Sequence, residues 1–158
     1  MRKIFQLGML ALFMSTWYNV GAQGQSQSDS GAMIIELKEY AVYHVQGKKL
    51  YKYRDNENKV KESKTAYLVT FTFATGLKAM NTRIDFYIGD YRIPEYGGTA
   101  EGIYFRFYDP KVLESLDGQT ISYQIANQAK VSLGKKFVKP DTKTMKLVSE
   151  ESVIKRKQ

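Results

Sequence analysis

Cysteine is absent from all 158 residues, and that absence removes several chemistries at once. No disulfide can brace the fold, no thiolate can hold a metal or attack a substrate, and no lipid can be attached to a cysteine at a signal cleavage site. Histidine is almost as scarce, with His44 the only one. A zinc site would rest on carboxylates, and the paired histidine spacing of helix-borne zinc sites is missing. A serine hydrolase would need His44 as its base, yet there is no Gly-x-Ser-x-Gly elbow. His44 falls near a strand end on the more polar face and reads as a surface or rim histidine. The glycine-rich run Gly97–Gly102 lacks the lysine and following helix of a phosphate loop, and reads as a flexible connection. No metal and no cofactor are expected.

Long apolar runs are also lacking, with one exception at the N-terminus. Arg2 and Lys3 precede an apolar stretch from Ile4 to Met14, and Val20-Gly21-Ala22 supplies the small residues of a cleavage site. This apolar core is about half of the roughly 20 residues that a spanning helix needs. It reads as a cleaved signal peptide over residues 1–22, leaving no transmembrane anchor in the mature form. A polar linker follows over 23–32. Trp17, the sole tryptophan, leaves with the signal, and the net charge falls only from +8 to +6 as Arg2 and Lys3 go. The expected location is the periplasm or the exterior. Export counts against nucleic acid as a partner, although the positive charge alone would allow it.

What is abundant is two-residue alternation, the mark of half-buried strands. From Ile35 to Val45 one set of positions reads Ile35, Leu37, Ala41, Tyr43, Val45, interrupted by Glu39, where a bulge is expected. Tyr67, Val69, Phe71 and Phe73 alternate with Leu68, Thr70 and Thr72. Ile84, Phe86 and Ile88 alternate with Arg83, Asp85 and Tyr87, and Ile103, Phe105 and Phe107 with Tyr104, Arg106 and Tyr108. Further strands are expected at 120–125 and 130–138. The charged stretch 55–64 reads as an exposed hairpin tip or loop. One short helical turn is expected where Asp109 caps Pro110–Leu116 and Gly118 ends it. The fold class is all-β: a small antiparallel β-sandwich, immunoglobulin-like or similar, over 33–139. Residues 140–158 form a basic C-terminal tail with room for one edge strand around Met145–Val148.

Two surface features point to binding. Tyr87, Tyr104 and Tyr108 share the polar side of their strands with Arg83 and Arg106, provided those two strands pair. The loop from Tyr91 to Gly98 adds Tyr91, Arg92 and Tyr96 around Pro94. Tyrosine and arginine are enriched at the energetic centres of protein interfaces, so Tyr87, Tyr91, Arg92, Tyr96, Tyr104, Arg106 and Tyr108 are the candidate binding residues. The plainer alternative is cross-strand tyrosine pairing that merely stabilises a sheet face. The second feature is the basic and aromatic run Lys48–Arg54, continued by Lys59, Lys61 and Lys64, which suits an acidic polymer or protein.

The sequence therefore leads to an exported, non-enzymatic domain that recognises another protein, as an inhibitor, immunity or envelope-assembly protein would. A carbohydrate- or anionic-polymer-binding module is the alternative. A small hydrolase is the third reading, working through acid pairs such as Asp85 with Glu95 or Glu101. Asp90 and Asp109 are assigned instead to a turn and a helix cap.

Overall fold

The computed structural model describes residues 35–74 and 83–158. The expected signal peptide, 1–22, and the polar linker, 23–32, lie outside the described residues. Residues Ile35–Gln158 belong to one compact unit, which includes the segment expected as a tail.

The described residues are mostly strand. In order come β1 (Leu37–Arg54), β2 (Val60–Phe73), β3 (Ile84–Ile88), β4 (Tyr91–Arg92), β5 (Gly97–Gly98), β6 (Gly102–Phe107), α1 (Pro110–Ser115), β7 (Thr120–Ile125), β8 (Val131–Lys136), β9 (Leu147–Ser149) and α2 (Glu150–Arg156). They make a five-stranded sheet ordered β5-β6-β2-β1-β9 and a four-stranded sheet ordered β4-β3-β7-β8. All pairings are antiparallel except β1 with β9, which run parallel. The expectation of an antiparallel architecture is corrected there, because β9 follows β8 of the other sheet and comes alongside His44–Gln46 in the same direction.

The inner aromatic residues follow from the alternation. Phe71 of β2 meets Phe105 at 5.1 Å within its own sheet and Phe86 of β3 at 6.3 Å across to the other. Phe73 stacks on Phe86 at 5.6 Å, and Phe137 beyond β8 stacks on Tyr40 of β1 at 5.6 Å. Phe71, Phe86 and Phe137 are essentially inaccessible to water. Burying each such side chain contributes about 1.5–3 kcal/mol.

β1 carries the expected bulge, between Leu37 and Glu39. Its consequence runs against the simple alternation. Leu37 opposes Phe73, but beyond the bulge it is Tyr40, Val42 and His44 that oppose Phe71, Val69 and Tyr67. One extra residue reverses which positions face which side. Ala41, Tyr43 and Val45 therefore lie with Leu68 and Ala66 on the outer face. His44 sits well inside β1 rather than near a strand end, stacked on Tyr67 at 4.8 Å.

The stretch expected as an exposed hairpin tip or loop at 55–64 is the tip of a hairpin. β1 and β2 continue as a hairpin arm pairing Tyr51–Arg54 with Val60–Ser63. The turn is tight because Asp55 Oδ1 accepts from the backbone N–H groups of Glu57 and Lys59, both at 2.9 Å, while Asn58 takes φ 61°. α1 begins as expected, with Asp109 accepting from Lys111 N at 2.9 Å and Pro110 in the first turn. A second helix, α2, was not expected. Among the described residues no helix is long and apolar enough to cross a membrane.

Candidate functional site

The two binding features read from the sequence meet in one groove of about 830 Å³. Its walls are the hairpin arm, through Lys52, Tyr53, Arg54 and Val60, and the loop from Tyr91 to Gly97. Between them lies β6, through Tyr104, Phe105 and Arg106, with Tyr108 just beyond. Tyr91, Tyr96, Tyr104, Arg106 and Tyr108 are thus brought together. Tyr87 and Arg92 are not.

The separation of Tyr87 corrects the expected pairing of its strand with β6. β3 pairs with β4 and β7 in the other sheet, so Tyr87 and Tyr104 stand on different sheets. Tyr87 donates to Gln124 Oε1 at 2.9 Å, and Lys130 Nζ lies 4.0 Å from its ring centre. Arg92 sits beside it and binds Asp85 Oδ1 at 2.8 Å, while Arg83 binds the same oxygen at 3.1 Å. Asp85 is therefore held by both Arg83 and Arg92.

Each tyrosine of the groove is fixed by a distinct contact. Tyr53 stacks flat on Tyr108, with ring centres 4.1 Å apart and planes 7° from parallel. Tyr91 leans on Phe107 at 5.5 Å. Tyr96 meets Phe86 edge-on at 5.3 Å and donates its hydroxyl to the carbonyl of Ile84 at 2.7 Å. Gly97 opposes Tyr104 in the β5–β6 pair, and a Cβ there would collide with the Tyr104 ring. The glycine run expected as a flexible connection is in part the short strand β5. Burial raises the phenol pKa of Tyr91, of Tyr96 and of Tyr108 above the ordinary value. All three are neutral hydrogen-bonding groups at physiological pH.

Arg106 is the most constrained side chain of the groove. Its Nε donates to Glu150 Oε2 at 2.9 Å, and its Nη2 donates to Glu150 Oε1. The guanidinium also lies 5.3 Å from the ring centre of Tyr51 and 5.5 Å from that of Tyr104. Tyr51 donates its hydroxyl to Glu150 Oε2. Glu150 opens α2, whose Val153 packs against Val45, Ala66 and Leu68 on the outer face of the five-stranded sheet. Burial alone would raise the Glu150 pKa, but the hydrogen bonds from Arg106 and Tyr51 outweigh it and leave the carboxyl below its ordinary value. The hydrogen bond to Glu150 likewise raises Arg106. Burial, then Glu150, raises Tyr51.

Sequence reasoning missed Glu150 and the helix that carries it. A signal was present, because Glu150 and Glu151 precede Val153 and Ile154, and Lys155 and Arg156 follow, which is the charge order a helix favours. Seven residues are too few for hydrophobic periodicity to stand out.

The rim of the groove is basic. Lys52 and Arg54 stand against one carboxylate of the lining, Glu95. Among the described residues no other acidic side chain lines it. Glu101 lines a separate depression with Lys38 and Glu39. Among the described residues no cluster of three or more His, Asp or Glu side chains could hold a metal. No protein-family model, curated protein or solved structure matches this chain.

Proposed function

We propose that this protein is an exported, non-enzymatic β-sandwich domain that binds another protein in the groove between the hairpin arm and the 91–97 loop. It acts in the periplasm or outside the cell. The N-terminal basic, apolar and small-residue pattern supports export. Two sheets in contact through their aromatic side chains support the sandwich.

The observation that carries the reading is the convergence of Tyr53, Tyr91, Tyr96, Tyr104, Tyr108 and Arg106 on one concave surface. Tyrosine offers large contact area at small entropic cost, and arginine adds directional donors. Most of these side chains are held by internal contacts, so little freedom remains to be lost on binding. Catalysis fits poorly. Glu95 has no carboxylate partner in the groove, Asp85 is neutralised by two arginines, and Asp109 is spent on a helix cap.

The test is capture of partners by the tagged protein from its native envelope and culture fluid, repeated with Tyr53→Ala and Tyr87→Ala. A protein partner retained at moderate salt, weakened at least about tenfold by Tyr53→Ala and untouched by Tyr87→Ala, is the expected result. Equal capture by both variants would remove the groove from consideration. The basic rim favours one other reading, an anionic polymer or glycan. In that case only polyanions would be captured, and salt would release them.

A further inference from the structure

The lining residues on β6 are consecutive: Tyr104, Phe105 and Arg106, followed by Tyr108. Phe105 points between the sheets, where it meets Phe71. Tyr104 and Arg106 project from the opposite face, where Tyr104 packs on the cluster that includes Val153. A groove that touches both faces of one strand runs along that strand's edge. β2 occupies the other edge of β6 from Gly102 to Phe107. On the groove side β5 pairs only with Ile103 and Tyr104. Among the described residues, Phe105–Phe107 have no strand partner there.

From these observations we infer that the groove receives an extended acidic segment of a partner protein, added as a strand along β6 at Phe105–Phe107. Strand addition uses main-chain hydrogen bonds for affinity and alternate side chains for selectivity. An added strand lies about 4.8 Å from its neighbour and presents alternate residues to opposite sides. One set would face the hairpin wall, with Lys52 and Arg54 at its rim and the stacked Tyr53–Tyr108 pair beneath. The other set would face Tyr91, Pro94 and Tyr96. The fitting segment therefore alternates acidic with apolar residues. Lys52 is available for it. Its link to Glu62 is 3.8 Å long with the lysine 74% exposed, and such surface pairs are worth only about 0–1 kcal/mol. Arg106 is committed to Glu150 and serves as a wall and not as the charge partner.

This inference rests on the groove being the binding site, so its test separates the two. Fluorescent decapeptides alternating glutamate and valine are titrated with the purified protein, beside alternating lysine–valine peptides, glutamate–valine peptides N-methylated at every residue, and dextran sulfate. N-methylation removes backbone donors and keeps the side-chain charge. The expected result is binding of the glutamate–valine peptide, with affinity reduced at least about tenfold by N-methylation, by Lys52→Ala with Arg54→Ala, and by Tyr53→Ala. Equal binding of methylated and unmethylated peptides, still lost in Tyr53→Ala, would overturn strand addition and leave the groove standing. Insensitivity to both would overturn strand addition and groove together. Equal binding of the lysine peptide would overturn the acidic preference. If no peptide binds up to about 1 mM, whether or not dextran sulfate does, strand addition is overturned and partner capture alone judges the groove.

Discussion

On the outer side of the four-stranded sheet, a partly exposed Asp85 is gripped by Arg83 and Arg92. On the outer side of the five-stranded sheet, Glu150 is gripped by Arg106 and Tyr51 beneath a helix. The chemistry is nearly the same, a carboxylate held by guanidinium, yet the surroundings differ. Arg83 and Arg92 keep 69% and 44% of their side-chain exposure around an Asp85 that keeps 21%, whereas Arg106 keeps 30% and Glu150 13%. Water and salt reach the arginines around Asp85 and weaken their hold on it. At Glu150 removal of a partner strands a largely buried charge. The lesson is that the exposed cluster decorates its sheet, while the covered one ties the last helix of the chain to a wall of the groove.

The largest effect that would sharpen this contrast is removal of α2. A chain ending at Ser149 exposes Val45, Ala66 and Leu68 and frees Arg106 and Tyr51. Loss of the Val153 burial and of the charged hydrogen bonds together is expected to cost about 3–6 kcal/mol, read by chemical denaturation. A truncated protein as stable as the full chain would break the claim that the helix is integral.

Next comes Arg106→Ala, which leaves Glu150 without its guanidinium and is expected to cost about 1.5–3 kcal/mol in the same assay. Should it cost no more than a surface pair, the two faces would be energetically alike.

Acid should separate the faces more gently. The folded pKa of Glu150 lies below its ordinary value of 4.5, so the unfolded chain binds the proton more readily. Its stabilisation is complete above that value and drains away as pH falls through the folded pKa. Stability measured from pH 6 down to about pH 3 is expected to fall more steeply in the native protein than in Glu150→Gln. Parallel curves would show that the carboxylate contributes no linkage.

The smallest effect is expected at Asp85→Asn, about 0.2–1 kcal/mol and shrinking with salt. A larger loss would mean that the exposed cluster carries more of the fold than its solvation implies.

Much of this architecture was legible in local patterns. The alternation at Tyr67–Phe73 and Ile103–Phe107 marked the inner aromatic faces, because a strand sends successive side chains to opposite sides. Asp109, Pro110 and Gly118 marked α1, because cap and turn preferences act within a few residues. The phase reversal at Glu39 was legible only as an interruption. Which side Tyr43 and Val45 would take depended on the one-residue slip against β2. The candidate site was half legible. Residue type points to Tyr91, Tyr96, Tyr104, Arg106 and Tyr108, yet Tyr87 joins them only if β3 and β6 pair, and Arg92 only through its place in the loop from Tyr91 to Gly98. The basic hairpin was noted as a separate feature, and nothing local tied Tyr53 to Tyr108.

The sequence by itself determined the strand-rich character, the bulge, the caps and the chemistries that are out of reach, since all of these follow from residue type and short-range spacing. Tertiary structure alone decided three matters: that β3 and β6 belong to different sheets, that the hairpin arm and the 91–97 loop enclose one groove, and that Glu150 reaches Arg106. Those contacts join residues far apart in the chain, 44 positions in the case of Arg106 and Glu150. Their selection comes from the burial of whole faces against one another, a property that no short window of sequence contains.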